Sequence, residues 1–335
     1  MACFSYGHLA VAAFIVISGF CLELSLFARE DGVLHSVKRF YLRRAQRILP
    51  PYYVCLAISI YVALRVTIYQ VGQPFSQYLP IDRPTILTHV FLVHNFSPDW
   101  MYKINGVLWS IAIEVQLYIL FPLFVWCLNK IGRLITLAAV AGIAYLTILH
   151  VPQAPKLYFW YMPLFVAGIV AANLAFKPGK IGRLPVVGSL LTLASLAGCY
   201  YAISQDWPIY ASDSFIGVAI ACACYAMTGA PRGPLYRFLI LRPIVFLGTF
   251  SYSLYLMHHP IAQLLYANRP GWVGGEIGLF WYLISSLPII LLGCWAFYLV
   301  FEKPFMPRRS TKAAPTPKAH APAKLPLRVY QPGDR

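Results

Sequence analysis

The sequence predicts an all-α fold, a polytopic integral membrane helical bundle of about nine spans. Three observations predict it. The chain is 59% hydrophobic and only 11% charged, with a mean hydropathy of +0.65, outside the range of soluble globular domains. Its apolar residues gather into runs long enough to cross about 30 Å of hydrocarbon. Of the 27 Lys and Arg residues, 22 fall in every second gap between those runs or in the C-terminal tail. That alternation is the positive-inside pattern of a multi-pass protein, so the net charge of +16 reads as topology and not as a nucleic-acid surface. Nine exposed apolar spans also exclude a soluble acetyltransferase.

Taken in order, the predicted spans are 9–28, 50–70, 106–127, 133–150, 158–175, 186–204, 213–229, 243–266 and 278–300. The first basic gap holds Lys38, Arg39, Arg43, Arg44 and Arg47 after Arg29, and Pro50–Pro51 then reads as the entrance of the second span. Later basic gaps carry Lys130 and Arg133, then Lys177, Lys180 and Arg183, then Arg232, Arg237 and Arg242. These gaps and the C-terminus are predicted cytoplasmic. Residues 1–302 form the membrane domain, and 303–335, Pro- and Lys-rich without periodicity, read as a disordered basic tail. The longest outside gap, 71–105, contains TILTHVFLVHNF, too short and polar for a span and suited to a re-entrant or interfacial segment. Nine spans with a cytoplasmic C-terminus put residues 1–8 outside, and this parity leads us to expect a further helix before the first.

Several polar residues stand inside apolar runs. Glu114 lies eight residues past Gly106 in GVLWSIAIEVQLYILFPLFVW. A carboxylate at that depth must be neutral, paired or facing a cavity, which marks it as a functional candidate or as a structural tie to another helix. Ser110, Glu114 and Tyr118 share one helical stripe that can face the bundle interior. Arg44 and Arg47, three apart, suit a phosphate clamp, although topogenic charge alone would also put arginines there. His258 and His259 close GTFSYSLYLMHHPI before Pro260, where they either transfer protons in a cavity or hold a kinked helix. Glu23 and Glu302 read as interfacial, satisfied by nearby basic side chains. His89 and His94 are expected to be exposed in the outside loop, beside Asn95 and Asp99, and His8 carries no signal by itself. The cysteines, apart from Cys3, sit in apolar runs as small hydrophobes. No His, Cys and acid spacing suggests a metal site.

Four blocks resemble the type-3 membrane acyltransferase family in order: AVAAFIVISGF at 10–20, FYLRRAQRILPPYY at 40–53, LWSIAIEVQLYILFPLF at 108–124 and GTFSYSLYLMHHPI at 248–261. FEKPF at 301–305 is a weaker fifth match. The resemblance implies a bacterial inner-membrane enzyme that moves a small acyl group, acetyl in the common family case, from cytoplasmic acyl-CoA to a hydroxyl of a glycan, glycolipid or glycosylated acceptor. Acyl-CoA, acetyl-CoA in that case, is then a co-substrate and no cofactor is bound permanently. The resemblance puts Arg44 and Arg47 on the coenzyme A phosphates and Glu114 and His258 among the catalytic candidates. Ser110, Tyr118, Ser251, Tyr252 and Tyr255 would shape the substrate cavity. It departs at the front, because family members begin with a helix carrying an arginine and a histidine taken as the base, and this sequence starts beyond that point. A truncated, inactive membrane protein and a glycolipid transporter or flippase are therefore alternative expectations. The absence of a long internal repeat weighs against transport.

Overall fold

The computed structural model describes residues 6–29, 34–67, 78–177, 184–229 and 233–306. The proposed basic tail lies almost wholly outside them. Among the described residues every regular element is helical: α1 (Gly7–Arg29), α2 (Val37–Val62), α3 (Arg83–Val90), α4 (Pro98–Met101), α5 (Leu108–Lys130), α6 (Arg133–His150), α7 (Tyr161–Phe176), α8 (Pro185–Ser204), α9 (Ile209–Gly229), α10 (Pro234–Leu239), α11 (Arg242–Thr249), α12 (Ser251–Ala267), α13 (Gly275–Ser285) and α14 (Leu287–Phe297). Seven described helices are long and apolar enough to cross a bilayer, and Tyr161–Phe176 is a shorter apolar helix of 16 residues. The molecule is a polytopic helical membrane protein.

Three expectations about elements need correction. The second span does not begin at Pro50. Ser36 caps α2 by accepting from the Arg39 amide, and the helix runs through Pro50 and Pro51 to Val62. A residue with φ fixed near the helical value is tolerated where the surrounding bundle compensates for its lost N–H. The arginines therefore lie on the first turns of a helix and not in a loop. The expected span 243–266 is broken at Phe250, which leaves helical geometry at φ −123° and ψ 22°, its ring buried against Phe246 and Tyr298. The expected span 278–300 is two helices meeting at Ser286, whose side chain bonds back to the Tyr282 carbonyl at 2.7 Å, just ahead of Pro288.

The helices pack in two groups. In the first, α1, α7 and α9 lie against one another with α8 on α9; in the second, α12 packs on both α2 and α14, while α5 touches α2 and α7 and α6 touches α5 and α7. The first group is held by glycine. A Cβ on Gly168 would collide with the Val16 carbonyl and one on Gly19 with the Phe165 carbonyl, so α1 and α7 approach backbone to backbone, as small residues permit between membrane helices. Gly168→Ala is expected to destabilise the protein by about 1–3 kcal/mol, the range for overpacking. Thermal unfolding in detergent checks this, and an unchanged midpoint would contradict it.

Proline chemistry ties the second group together. Pro260 has no N–H to offer the Leu256 carbonyl one turn back. That carbonyl instead accepts from Cys55 Sγ at 3.2 Å and Asn105 Nδ2 at 3.4 Å, and Asn105 Nδ2 also lies 3.0 Å from Ser59 Oγ. One buried knot thus joins α2, the segment before α5, and α12. Segment 83–101 forms short helical turns that plug against α2 and α5. Its α3 has eight residues, and the Tyr52 and Tyr53 hydroxyls of α2 donate to the His89 and Val90 carbonyls at 2.8 and 2.9 Å.

Candidate functional site

The polar stripe on α5 does face the interior: Ser110, Glu114 and Tyr118 are all buried. Each step of four residues rises about 6 Å, so the stripe extends about 12 Å along the helix axis. At its middle the Tyr118 hydroxyl donates to Glu114 Oε1. The Ser18 hydroxyl of α1 lies 3.1 Å from the same oxygen and 2.5 Å from the Tyr118 oxygen. Glu114 Oε2 is buried without a hydrogen-bond partner. The arrangement is a carboxylate held firmly through one oxygen, with the other unpartnered.

Arg44 approaches this cluster from α2. Its Nε is buried and unpartnered, and the charges of Arg44 and Arg47 both act on Glu114. Arg44 and Tyr118 line one cavity of about 160 Å³ with Tyr41, Ile48, Val115 and Ile119. Arg47 is exposed on the neighbouring face of α2. Its charge nevertheless reaches Glu114 and Glu302 as well, so both guanidiniums act on the same region of the bundle.

Toward the other end of the stripe, Ser110 Oγ is 2.6 Å from the Tyr255 hydroxyl of α12, which also donates to the Val107 carbonyl at 3.1 Å. His258 is half-buried, its ring 5.9 Å from that of Tyr255, with Nδ1 donating to the Leu254 carbonyl at 3.0 Å. Because Nδ1 serves as the donor, Nε2 is the imidazole acceptor. His259 packs edge-on against Tyr78 at 4.7 Å. Tyr252 reaches the Ile48 carbonyl of α2 at 3.0 Å, a tie between helices. Ser251 is exposed and bonds within its own chain segment to the Gly248 carbonyl at 3.2 Å, so it does not join the cluster.

Other polar residues fall differently from expectation. Glu23 accepts from Asn173 Nδ2 at 2.9 Å, a neutral partner on α7, and not from an arginine. Glu302 is buried, accepting from the Ser253 hydroxyl and, at 3.1 Å, from the Ser253 amide. Placing it on the helix side of Lys303 turned it into the bundle and away from the interface. Cys21 is exposed on α1. His89 and His94 are fully buried with stacked rings 3.8 Å apart, because the plug folds back under itself. Burial lowers the imidazole pKa of His89 to about 4 and that of His94 to about 3, so both are neutral at neutral pH. Beside them Gln116 and Asn95 pair through their amides at 2.7 Å, closing the plug onto α5.

A further cluster, at the end of the bundle where α1, α7 and α9 begin, was missed in the sequence. Asp213, fully buried, accepts from His8 Nδ1 at 2.6 Å and from Trp160 Nε1 at 2.9 Å. The Tyr161 hydroxyl donates to the His8 carbonyl at 3.2 Å. The only sequence signal was a polar residue in an apolar run, because the partners lie far apart in the chain. Among the described residues no three His, Cys, Asp or Glu side chains gather as metal ligands.

The comparisons agree with the four blocks. A family profile described as an acyltransferase domain matches residues 4–299. The chain is 25% identical over 328 residues to the O-acetyltransferase OatA of Staphylococcus aureus, covering 86% of this chain and 51% of that protein. It is 26% identical over 287 residues to the peptidoglycan O-acetyltransferase OatA of Listeria monocytogenes, covering 77% of this chain and 45% of that protein. The chain spans about half the length of these relatives. No solved structure matches. With most of its length matched to the profile, the chain belongs to the type-3 membrane acyltransferase family.

Proposed function

We propose that the protein is a membrane O-acetyltransferase that carries acetyl from acetyl-CoA, bound at the arginine end of α2, to a glycan hydroxyl presented at the plug end. The observation that carries the reading is the α5 stripe. It runs from Arg44 through a carboxylate with one unpartnered oxygen to a hydroxyl pair, all along one face of α5. The arginine end faces the cytoplasm of a bacterial inner membrane, following the charge bias. The peptidoglycan named for the Listeria relative supports a polysaccharide acceptor.

In this reading Arg44 and Arg47 hold donor phosphates, and the small cavity beside Tyr118 receives the acyl end, its volume favouring a short chain. The acceptor oxygen attacks the thioester carbonyl carbon, forming the ester C–O bond as the C–S bond breaks. Glu114 Oε2 takes the hydroxyl proton, which passes finally to the departing thiolate. Tyr118 and Ser18 fix the carboxylate by donating to its Oε1. Ser110 and Tyr255 orient the acceptor, with His258 flanking them. Tyr252 braces α12 against α2, and Ser251 ties the start of α12 back to the Gly248 carbonyl.

Transfer of label from radiolabelled acetyl-CoA to cell-wall glycan in membrane vesicles tests the function. Arg44→Ala is expected to raise the donor KM about tenfold or more, the worth of a lost charged hydrogen bond, with little change in acceptor KM. Glycan translocation without label transfer would overturn the reading in favour of a transporter.

A further inference from the structure

Beyond the stripe, the plug carries an open cavity of about 480 Å³ walled by two chain segments, with Pro80 and Asp82 on one and Asp99, Trp100, Tyr102 and Lys103 on the other. The walls are clasped. The Ile104 amide donates to the Tyr78 carbonyl at 3.0 Å, and Lys103 Nζ donates to the Leu79 carbonyl. The Asp82 side chain caps α3 by accepting from the Thr85 amide at 2.9 Å, which fixes its carboxylate at the rim. Hydrogen bonds from the Thr85 side chain and then its amide hold the carboxyl below the usual carboxylate range, so the group is charged at neutral pH. Asp99 is exposed opposite it, in the first turn of α4.

This lining has a distinct chemistry. An indole and a phenol offer flat apolar faces, and two carboxylates, Asp82 held and Asp99 exposed, offer acceptors beside them. A pyranose presents the complement, with C–H groups on its ring faces and hydroxyl donors on its rim. Side-chain contacts also link the cavity wall to the stripe. The Tyr102 hydroxyl lies 2.9 Å from that of Tyr158, whose ring stacks on Trp109 at 4.2 Å, and Trp109 precedes Ser110. An aromatic path therefore joins the cavity to the Ser110–Tyr255 pair.

We infer that this cavity is a saccharide subsite holding the acceptor glycan one or more sugar units away from the hydroxyl being acylated, with Trp100 and Tyr102 against ring faces and Asp82 and Asp99 accepting from hydroxyls. The inference rests on the acyl-transfer reading for its purpose, though not for its chemistry. The test uses the full chain purified in detergent and a fluorescently labelled β-1,4-linked N-acetylglucosamine tetramer as probe. Trp100→Ala and Asp99→Asn, both on the cavity wall and away from the clasp, are each expected to weaken probe binding about tenfold. In transfer assays the same variants raise the acceptor KM and leave the acetyl-CoA KM unchanged. Wild-type protein that fails to bind the probe, or variants that bind it equally well, would overturn the subsite. Probe binding that depends on Trp100 in a protein that transfers no acetyl group would uphold the subsite and sink the acyl-transfer reading alone.

Discussion

Glu114→Gln is expected to lower acetyl transfer by about a hundredfold or more, the usual contribution of a positioned general base, while the protein still inserts and binds acetyl-CoA. The amide keeps the shape of the side chain and can still accept from Tyr118 and Ser18 through its carbonyl oxygen. It removes the basic oxygen that has no partner in the bundle. A loss confined to kcat would identify proton transfer, and a loss confined to donor KM would reduce Glu114 to an electrostatic neighbour of Arg44. His258→Gln is the companion variant. If it, and not Glu114→Gln, abolished turnover, the base would lie on α12. Comparing the pH–rate profiles of both variants with wild type separates the two cases, because the limb belonging to the base disappears only in the variant that lacks it.

The largest expected effect on stability is at Asp213. Replacing it with Ala leaves the Trp160 indole N–H and His8 without their buried acceptor at the meeting point of α1, α7 and α9. Breaking such a cluster from one side is expected to cost about 3 kcal/mol. Thermal unfolding in detergent measures the loss. The double-mutant cycle with His8→Gln should show strong coupling, since the two side chains meet at 2.6 Å. Additive effects would mean that the contact contributes little and that Asp213 acts through Trp160 alone.

Much of this architecture is legible in the residues. The burial of Ser110, Glu114 and Tyr118 follows from a spacing of four on a helix, and a carboxylate inside an apolar run draws attention without any coordinates. The helical start at Val37 is less visible. A search for apolar windows rejects the arginine-rich turns that open α2, although an amphipathic beginning is a common way to enter a membrane. Its cue was Ser36, a good N-cap whose meaning depends on the turns that follow. Ser18 and Asp213 were harder still. A serine in an apolar helix looks like a small filler, and its contacts to Glu114 and Tyr118 cross 96 and 100 residues of sequence. His89 and His94 looked exposed because loop residues usually are. The plug that buries them exists only once Tyr52, Tyr53 and Gln116 have met it.

The glycine contact between α1 and α7 has a mechanical consequence for the chemistry. It fixes the rotation of α1, so Ser18, next to Gly19, is presented by one rigid block of helices, whereas Arg44 and Tyr255 belong to the other. Between the groups at this depth, the polar link is a pair of hydroxyl contacts from Ser18 to the carboxylate and phenol on α5, beside the packing of Phe165 on Tyr118 and Phe121 and of Phe14 on Tyr255. If the blocks part, those contacts break before any helix loses a backbone hydrogen bond. The boundary between the two groups therefore runs past Glu114 and Tyr118, so a shift of α1 is felt first at the proposed reaction centre.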